Sequence, residues 1–144
     1  MKKMIWALLM IGIILTLTAC GSGTPEPVIP APSETATVDI IYLNHPPVLP
    51  ILQEIDAVLN PYGDKVKVTR YDFDTTEGAA FAQKVGITGH DPLAIFVNGS
   101  QSFDLDGRTV TFNSFPQGGS TGMVPDGAWT VADLDTVLKK ILGQ

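Results

Sequence analysis

A second cysteine is missing. The 144 residues hold one, Cys20, so the chain cannot form an internal disulfide, present a pair of exchanging thiols, or build a thiolate metal site. Histidine is nearly as scarce: His45 and His90 are the two present, too far apart in sequence to form the short ligand spacings that mark a zinc site. Cationic residues are few, nine against fifteen acidic, and no basic block of the kind that nucleic acid requires is found. No apolar run reaches the roughly 20 residues of a membrane span. The one Gly-x-Ser-x-Gly spacing, residues 118–122, falls in a glycine- and proline-rich loop rather than at a strand-to-helix elbow for serine hydrolysis, and there is no phosphate-binding glycine loop. The acidic pairs Asp72/Asp74 and Asp104/Asp106 lack calcium-loop spacing. They read instead as a strand end with a helix cap, and as the edge of a hairpin.

What the sequence does have begins at the amino terminus. Met1-Lys2-Lys3 is a short basic head, and residues 5–17 are apolar except for Gly12 and Thr16. A run of that length is the core of an export signal rather than a span. It leads directly into "LTAC", residues 17–20, which resembles the box of bacterial lipoproteins. The resemblance implies a diacylglyceryl group on the Cys20 thiol and cleavage before it. Without Lys2 and Lys3, seven basic residues face fifteen acidic ones, a net of −8. Such a charge gives no attraction to anionic headgroups, which leaves the anchoring to the acyl chains. "GSGTPEPVIPAPSETA", residues 21–36, has proline at short intervals between Gly and Ser, the composition of a semi-rigid spacer. The chain thus divides into a lipoprotein signal peptide (1–19), a lipidated cysteine with its tether (20–36), and one domain (37–144). The domain's roughly 108 residues suffice for a single core.

Within the domain, "VDIIYLN" (38–44) is a β-branched apolar run that predicts a buried strand. "HPPVLPILQEIDAVL" then turns into an amphipathic helix with Val48, Leu52, Ile55 and Leu59 on one face, widened by Ile51 and Val58. Pro46 and Pro47 stiffen the turn, and Pro50 fits the first helical turn, where backbone N–H groups have no partner. "KVKVTRYDF" (65–73) predicts a second strand. Asp74 to Glu77 has capping-box spacing, with Asp74 as the expected cap, and the helix that follows stops at Gly86. "PLAIFV" (92–97) predicts a third strand, closed by Asn98-Gly99.

Asp106-Gly107 is the expected two-residue turn of a hairpin. It sets Leu105 opposite Arg108, Phe103 opposite Val110 and Gln101 opposite Phe112, so the four apolar residues share one side. "NSFPQGGSTGMVPDGA" is a long loop expected to be mobile. Phe115, Met123 and Trp129 near it are expected to pack inward, the alternative being a partner-binding surface. Thr130 and Asp133 cap a last helix whose apolar face is Val131, Leu134, Leu138 and Ile141.

The element order β-α-β-α-β-β-β-α resembles the thioredoxin family. "VLPILQEIDAVL" is similar to the family's first active-site helix, "FAQKVGITGHDPLAIFVNGS" to its helix, proline loop, strand and turn, and "WTVADLDTVLKKIL" to its closing helix. The resemblance implies a three-layer α/β sandwich, with a mixed sheet of about four to five strands, helices on both faces, and an added hairpin. It further implies that Pro92 is the family's proline, usually preceded by a cis bond. The family's redox members carry Cys-x-x-Cys where the first strand meets the helix. Here that junction reads "LNHPPVLP".

Placed in that fold, Asn44, His45, Pro46 and Pro47 face His90, Asp91 and Pro92 across one edge, the candidate binding edge. The expected function is a lipid-anchored, extracytoplasmic binding or scaffolding module at a bacterial cell membrane or outer membrane. Its partners would be the bilayer and an extracytoplasmic protein, with no nucleic acid and no resident cofactor. Two alternatives stand beside it: a thiol–disulfide protein of the thioredoxin family, and a metal-binding or delivery protein using His45, His90 and Asp91.

Overall fold

In "ATVDIIY" apolar side chains occupy both faces of an extended segment, as in a strand covered from both sides. The computed structural model describes residues 26–89, 91–120, 122 and 124–144, and places this segment at the centre as β1, Ala36–Tyr42. β2 (Val66–Asp72) runs parallel to it on one edge, and β3 (Leu93–Val97) antiparallel on the other. The strand begins two residues earlier than the sequence suggests because Ala36 already pairs with Val66. A hairpin of β4 (Ser102–Leu105) and β5 (Arg108–Thr111) continues from β3. Bridges Val97–Ser100 and Ala94–Asn113 join it to that strand.

Three helices, α1 (Leu49–Leu59), α2 (Thr76–Val85) and α3 (Val131–Leu142), cover the sheet. Val38, Ile40, Leu93, Ile95 and Val97 pack in one core with Leu52 and Ile55 of α1 and Leu134, Leu138 and Ile141 of α3. Ile41, Ala94 and Phe96 point the opposite way and pack with Phe81 and Ala82 of α2. Alternation along β1 and β3 therefore feeds two separate cores. This mixed three-layer arrangement, with β1 between a parallel and an antiparallel neighbour, is a thioredoxin-like α/β fold. Among the described residues no helix is long and apolar enough to cross a membrane.

The hairpin has the register that its sequence predicts: Phe103 pairs with Val110 and Leu105 with Arg108. Asp106 and Gly107 both adopt positive φ, 56° and 85°, as a primed two-residue turn requires. Phe103, Leu105, Val110 and Phe112 are all buried. Ser102, on the opposite side of the hairpin, is buried too, and shares a 2.8 Å hydrogen bond with the Thr111 hydroxyl.

Several local expectations need correction. The cap of α2 is Thr75, not Asp74: its hydroxyl accepts from the Gly78 amide at 3.1 Å and donates to the Asp72 carbonyl at 2.8 Å. Asp74 is one residue too early, and its amide is instead held by the Asp72 carboxylate. Although Asn60-Pro61-Tyr62-Gly63 is the expected end of the first helix, the helical path does not stop there at once. A 3₁₀ segment, Asn60–Lys65, prolongs α1 before Gly63 turns at φ 53°. No cis peptide bond occurs among the described residues, so Pro92 departs from the family pattern.

Described parts of the glycine-rich loop are tied down. Asp126 accepts from the amides of Gly118 and Ser120, Gly127 donates to Phe115, and Gln117 donates to Trp129. Phe115 and Trp129 are buried, and the Trp129 indole donates to the Asn113 carbonyl at 2.8 Å. Met123 lies outside the described residues. Part of the tether also touches the domain: Val28 donates to Ser102 and accepts from Asp104 along β4, and Ser33 donates to Ile141.

Charged groups fasten α3. Asp133 closes a capping box with Thr130 and accepts from Arg108 at 2.5 Å. Burial pushes its carboxyl up, but the bonds from Arg108 and Thr130 together outweigh burial and hold it below the ordinary carboxylate range. Lys139 first, then Tyr62, lower Asp135 in the same direction. Burial, then the 2.7 Å bond to Asp135, raises the Tyr62 phenol.

Two measurements follow. A Cβ at Gly78 would stand 1.8 Å from the Asp72 carbonyl oxygen, so Gly78→Ala is expected to cost about 3 kcal/mol in denaturant unfolding, with a neutral result refuting the close packing of α2. Because Asp133 and Asp135 are lowered in the folded state, the stability they contribute is complete above the unfolded carboxyl pKa of about 4 and is lost as pH falls through the folded value. Asp133→Asn should flatten that acid limb; an unchanged limb would show that the pairing with Arg108 contributes nothing.

Candidate binding rim

Two strands of the parallel pair end side by side, and their exits define one rim of the sheet. β1 ends at Tyr42 and β2 at Asp72, which are register partners. β3 begins at Leu93, opposite Tyr42. The Leu43 amide donates to the Pro92 carbonyl at 3.0 Å, and the Phe73 amide to the Tyr42 carbonyl at 2.8 Å. The junction after β1, the junction after β2 and the proline before β3 are thus held together by backbone bonds, as expected at the carboxyl ends of strands in open α/β sheets.

The β1–α1 junction is a compact turn. His45 donates its amide to the Leu43 carbonyl at 2.8 Å and accepts from Val48 at 2.9 Å. Pro46 and Pro47 occupy the turn between them, with no N–H to satisfy. Pro50 is the second residue of α1, and no side chain caps the helix. The apolar anchors of the turn are Leu43 and Val48, both buried, so the chain enters and leaves the core while Asn44, His45 and Pro46 stay exposed. Pro92 is buried and Asp91 exposed.

Of the residues that the sequence nominates, Asn44 to Pro47, Asp91 and Pro92 therefore lie along this rim. His90 lies outside the described residues. The structure adds one that sequence reasoning missed. Asp74, read there as a helix cap, faces His45 with 3.8 Å between Oδ2 and Nε2, both side chains 60% exposed. The two are 29 positions apart on different junctions, and only the parallel register of β1 and β2 brings them together. Among the described residues, no three histidine, cysteine, aspartate or glutamate side chains form a group that could hold a metal ion. An exposed His–Asp contact at this distance can orient an imidazole toward a polar ligand.

No protein-family model matches the chain, and no curated protein matches it. Among solved structures it is similar to a mutant thioredoxin from Halobacterium salinarum NRC-1, at 16% identity and a TM-score of 0.40, over 85% of this chain and 96% of that one. That likeness is partial, and the architecture is defined by the strand order and helix placement described above.

The His45–Asp74 contact is open to water, where such pairs contribute little. Replacing both with alanine is expected to change unfolding free energy by no more than about 0.5 kcal/mol. A larger loss would make the pair a brace of the rim rather than a surface feature.

Proposed function

We propose that the protein is a lipid-anchored, extracytoplasmic binding module, a thioredoxin-like domain that carries no exchanging thiols. One observation carries this reading: the chain's one cysteine is Cys20, directly after the apolar export segment and far in sequence from the β1–α1 junction. Disulfide exchange requires a thiolate nucleophile and a resolving thiol. At the junction, "NHPP" supplies an imidazole and two proline rings instead. The thiol at position 20, following Leu17-Thr18-Ala19, is suited to acylation, and its lipid would hold the domain at a bacterial cell membrane or outer membrane.

The surface best suited to a protein partner is the rim of Asn44, His45, Pro46, Pro47, Asp91 and Pro92. Three prolines and the backbone bond from Leu43 to Pro92 fix its shape. A surface already held in one conformation loses less entropy on binding than a mobile loop does. Its polar groups, the His45 imidazole with the carboxylates of Asp74 and Asp91, favour a partner that offers hydrogen-bond donors.

Two assays test this. Labelled palmitate should enter the wild-type protein, and Cys20→Ala should both lose the label and leave the membrane fraction; retention of either would refute the anchor. The chain should also reduce insulin no faster than background in the presence of dithiothreitol. Turnover above background would favour the redox reading instead.

A further inference from the structure

β2 is the outermost strand of its ladder. β1 pairs with one of its edges, and among the described residues no strand pairs with the other, which leaves its outward N–H and C=O groups to solvent. The two faces beside that edge differ in chemistry. Val66, Val68 and Arg70 alternate onto one, and Lys67, Thr69 and Tyr71 onto the other. The first borders a groove of about 250 Å³ against α1, with Asp56, Leu59, Val66, Val68 and Arg70 in its lining. Val68 is 39% exposed there, one of the few large apolar side chains so placed, and Arg70 is held at the groove by its ion pair with Asp56. On the second face Lys67 is exposed, and Lys65, the last residue of the 3₁₀ segment that leads into β2, is exposed two positions before it. Lys65, Lys67 and Arg70 are three of the chain's nine basic residues. Arg70, Arg108, Lys139 and Lys140 each have a carboxylate partner, whereas Lys65 and Lys67 have none among the described residues.

We propose that the open edge of β2 docks an extended segment of another protein in which apolar and acidic residues alternate. Strand addition would satisfy the outward backbone groups of β2. Side chains of one parity would enter the groove over Val66 and Val68, and a carboxylate of the other parity would meet Lys67, with Lys65 at the start of the strand beside the next acidic position. A second copy of this chain fits less well. Antiparallel pairing centred on Lys67 or Arg70 sets like charges opposite each other, and pairing centred on Val68 or Thr69 leaves both lysines without a carboxylate. The site lies on the α1–β2 flank and is independent of both the rim and the lipid anchor.

The probe is a short acetylated and amidated peptide of alternating glutamate and valine, with a lysine–valine peptide as control, added to the full chain in detergent micelles. Amide hydrogen exchange should slow in β2 with the glutamate peptide and not with the control. The double variant Lys65→Glu, Lys67→Glu changes exposed side chains only and should keep the wild-type circular dichroism. It should bind the glutamate peptide about tenfold more weakly, two exposed ion pairs having been lost, and should acquire affinity for the control. Unslowed exchange in β2 or equal binding of the two peptides would overturn the proposal. So would self-association of the free chain that protects β2, which would make the second copy the occupant.

Discussion

Everything in the domain is hung on β1. Among the described residues it is the middle strand of its sheet, with a parallel neighbour on one side, an antiparallel neighbour on the other, and a core on each face. Val38 and Ile40 are wholly buried against α1 and α3, and Ile41 is buried against the α2 side. A one-residue slip of this strand would exchange the two sets and put Asp39 into the larger core. Its register with β2 and β3 is therefore over-determined by burial, and with it the relative positions of every loop at the strand ends. The rim gets its geometry from this: Tyr42 is opposite both Asp72 and Leu93, so three separate segments of chain must converge there.

That constraint also explains how a rim can be kept rigid without a disulfide. Leu43 and Val48 are both buried, with a few exposed residues between them that need only turn. Proline supplies the turn at low entropic cost because its φ is already fixed. Pro92, buried and accepting from the Leu43 amide, ties the opposite side of the rim to the same strand. The shape is thus specified by packing and backbone pairing. The exposed side chains, Asn44, His45, Pro46, Asp74 and Asp91, lie outside that packing.

Much of this was legible in the sequence where a local rule and the global fold agree. Asp106-Gly107 marks its hairpin because the turn chemistry and the inward residues give the same register. Thr130 and Asp133 mark the start of α3, and Gly86 the end of α2, for similar reasons. Legibility failed where neighbouring residues compete for one role. Asp74 and Thr75 are both good caps, and the choice between them is made by the Asp72 carbonyl, which takes the Thr75 hydroxyl and presses against Gly78. No spacing rule carries that contact, nor the approach of Asp74 to His45, since both depend on where β2 lies beside β1. The glycine-rich loop read as mobile because its composition is that of a flexible segment. Its anchors are the Asp126 carboxylate, which takes the Gly118 and Ser120 amides of the same loop, and the buried Phe115 and Trp129, and no composition rule shows them.

The two outer strands are treated differently, and the difference is informative. An unpaired strand edge is a hazard that proteins cover, charge or twist away. The outer edge of β4 is covered by this chain itself, through the two backbone bonds that Val28 makes with Ser102 and Asp104. The segment ahead of β1 thereby guards that edge with a single bridge at Val28. β2 has no such cover among the described residues and relies on charge, with Lys67 exposed on one face and the Arg70–Asp56 pair beside the groove on the other. Charge alone discourages a second β2, whose lysines find no carboxylate in any like-with-like register, but it does not discourage an acidic strand. The same lysines that keep copies of this chain apart thus leave the edge open to one chemical class of partner, so protection and selectivity at β2 have a single physical cause.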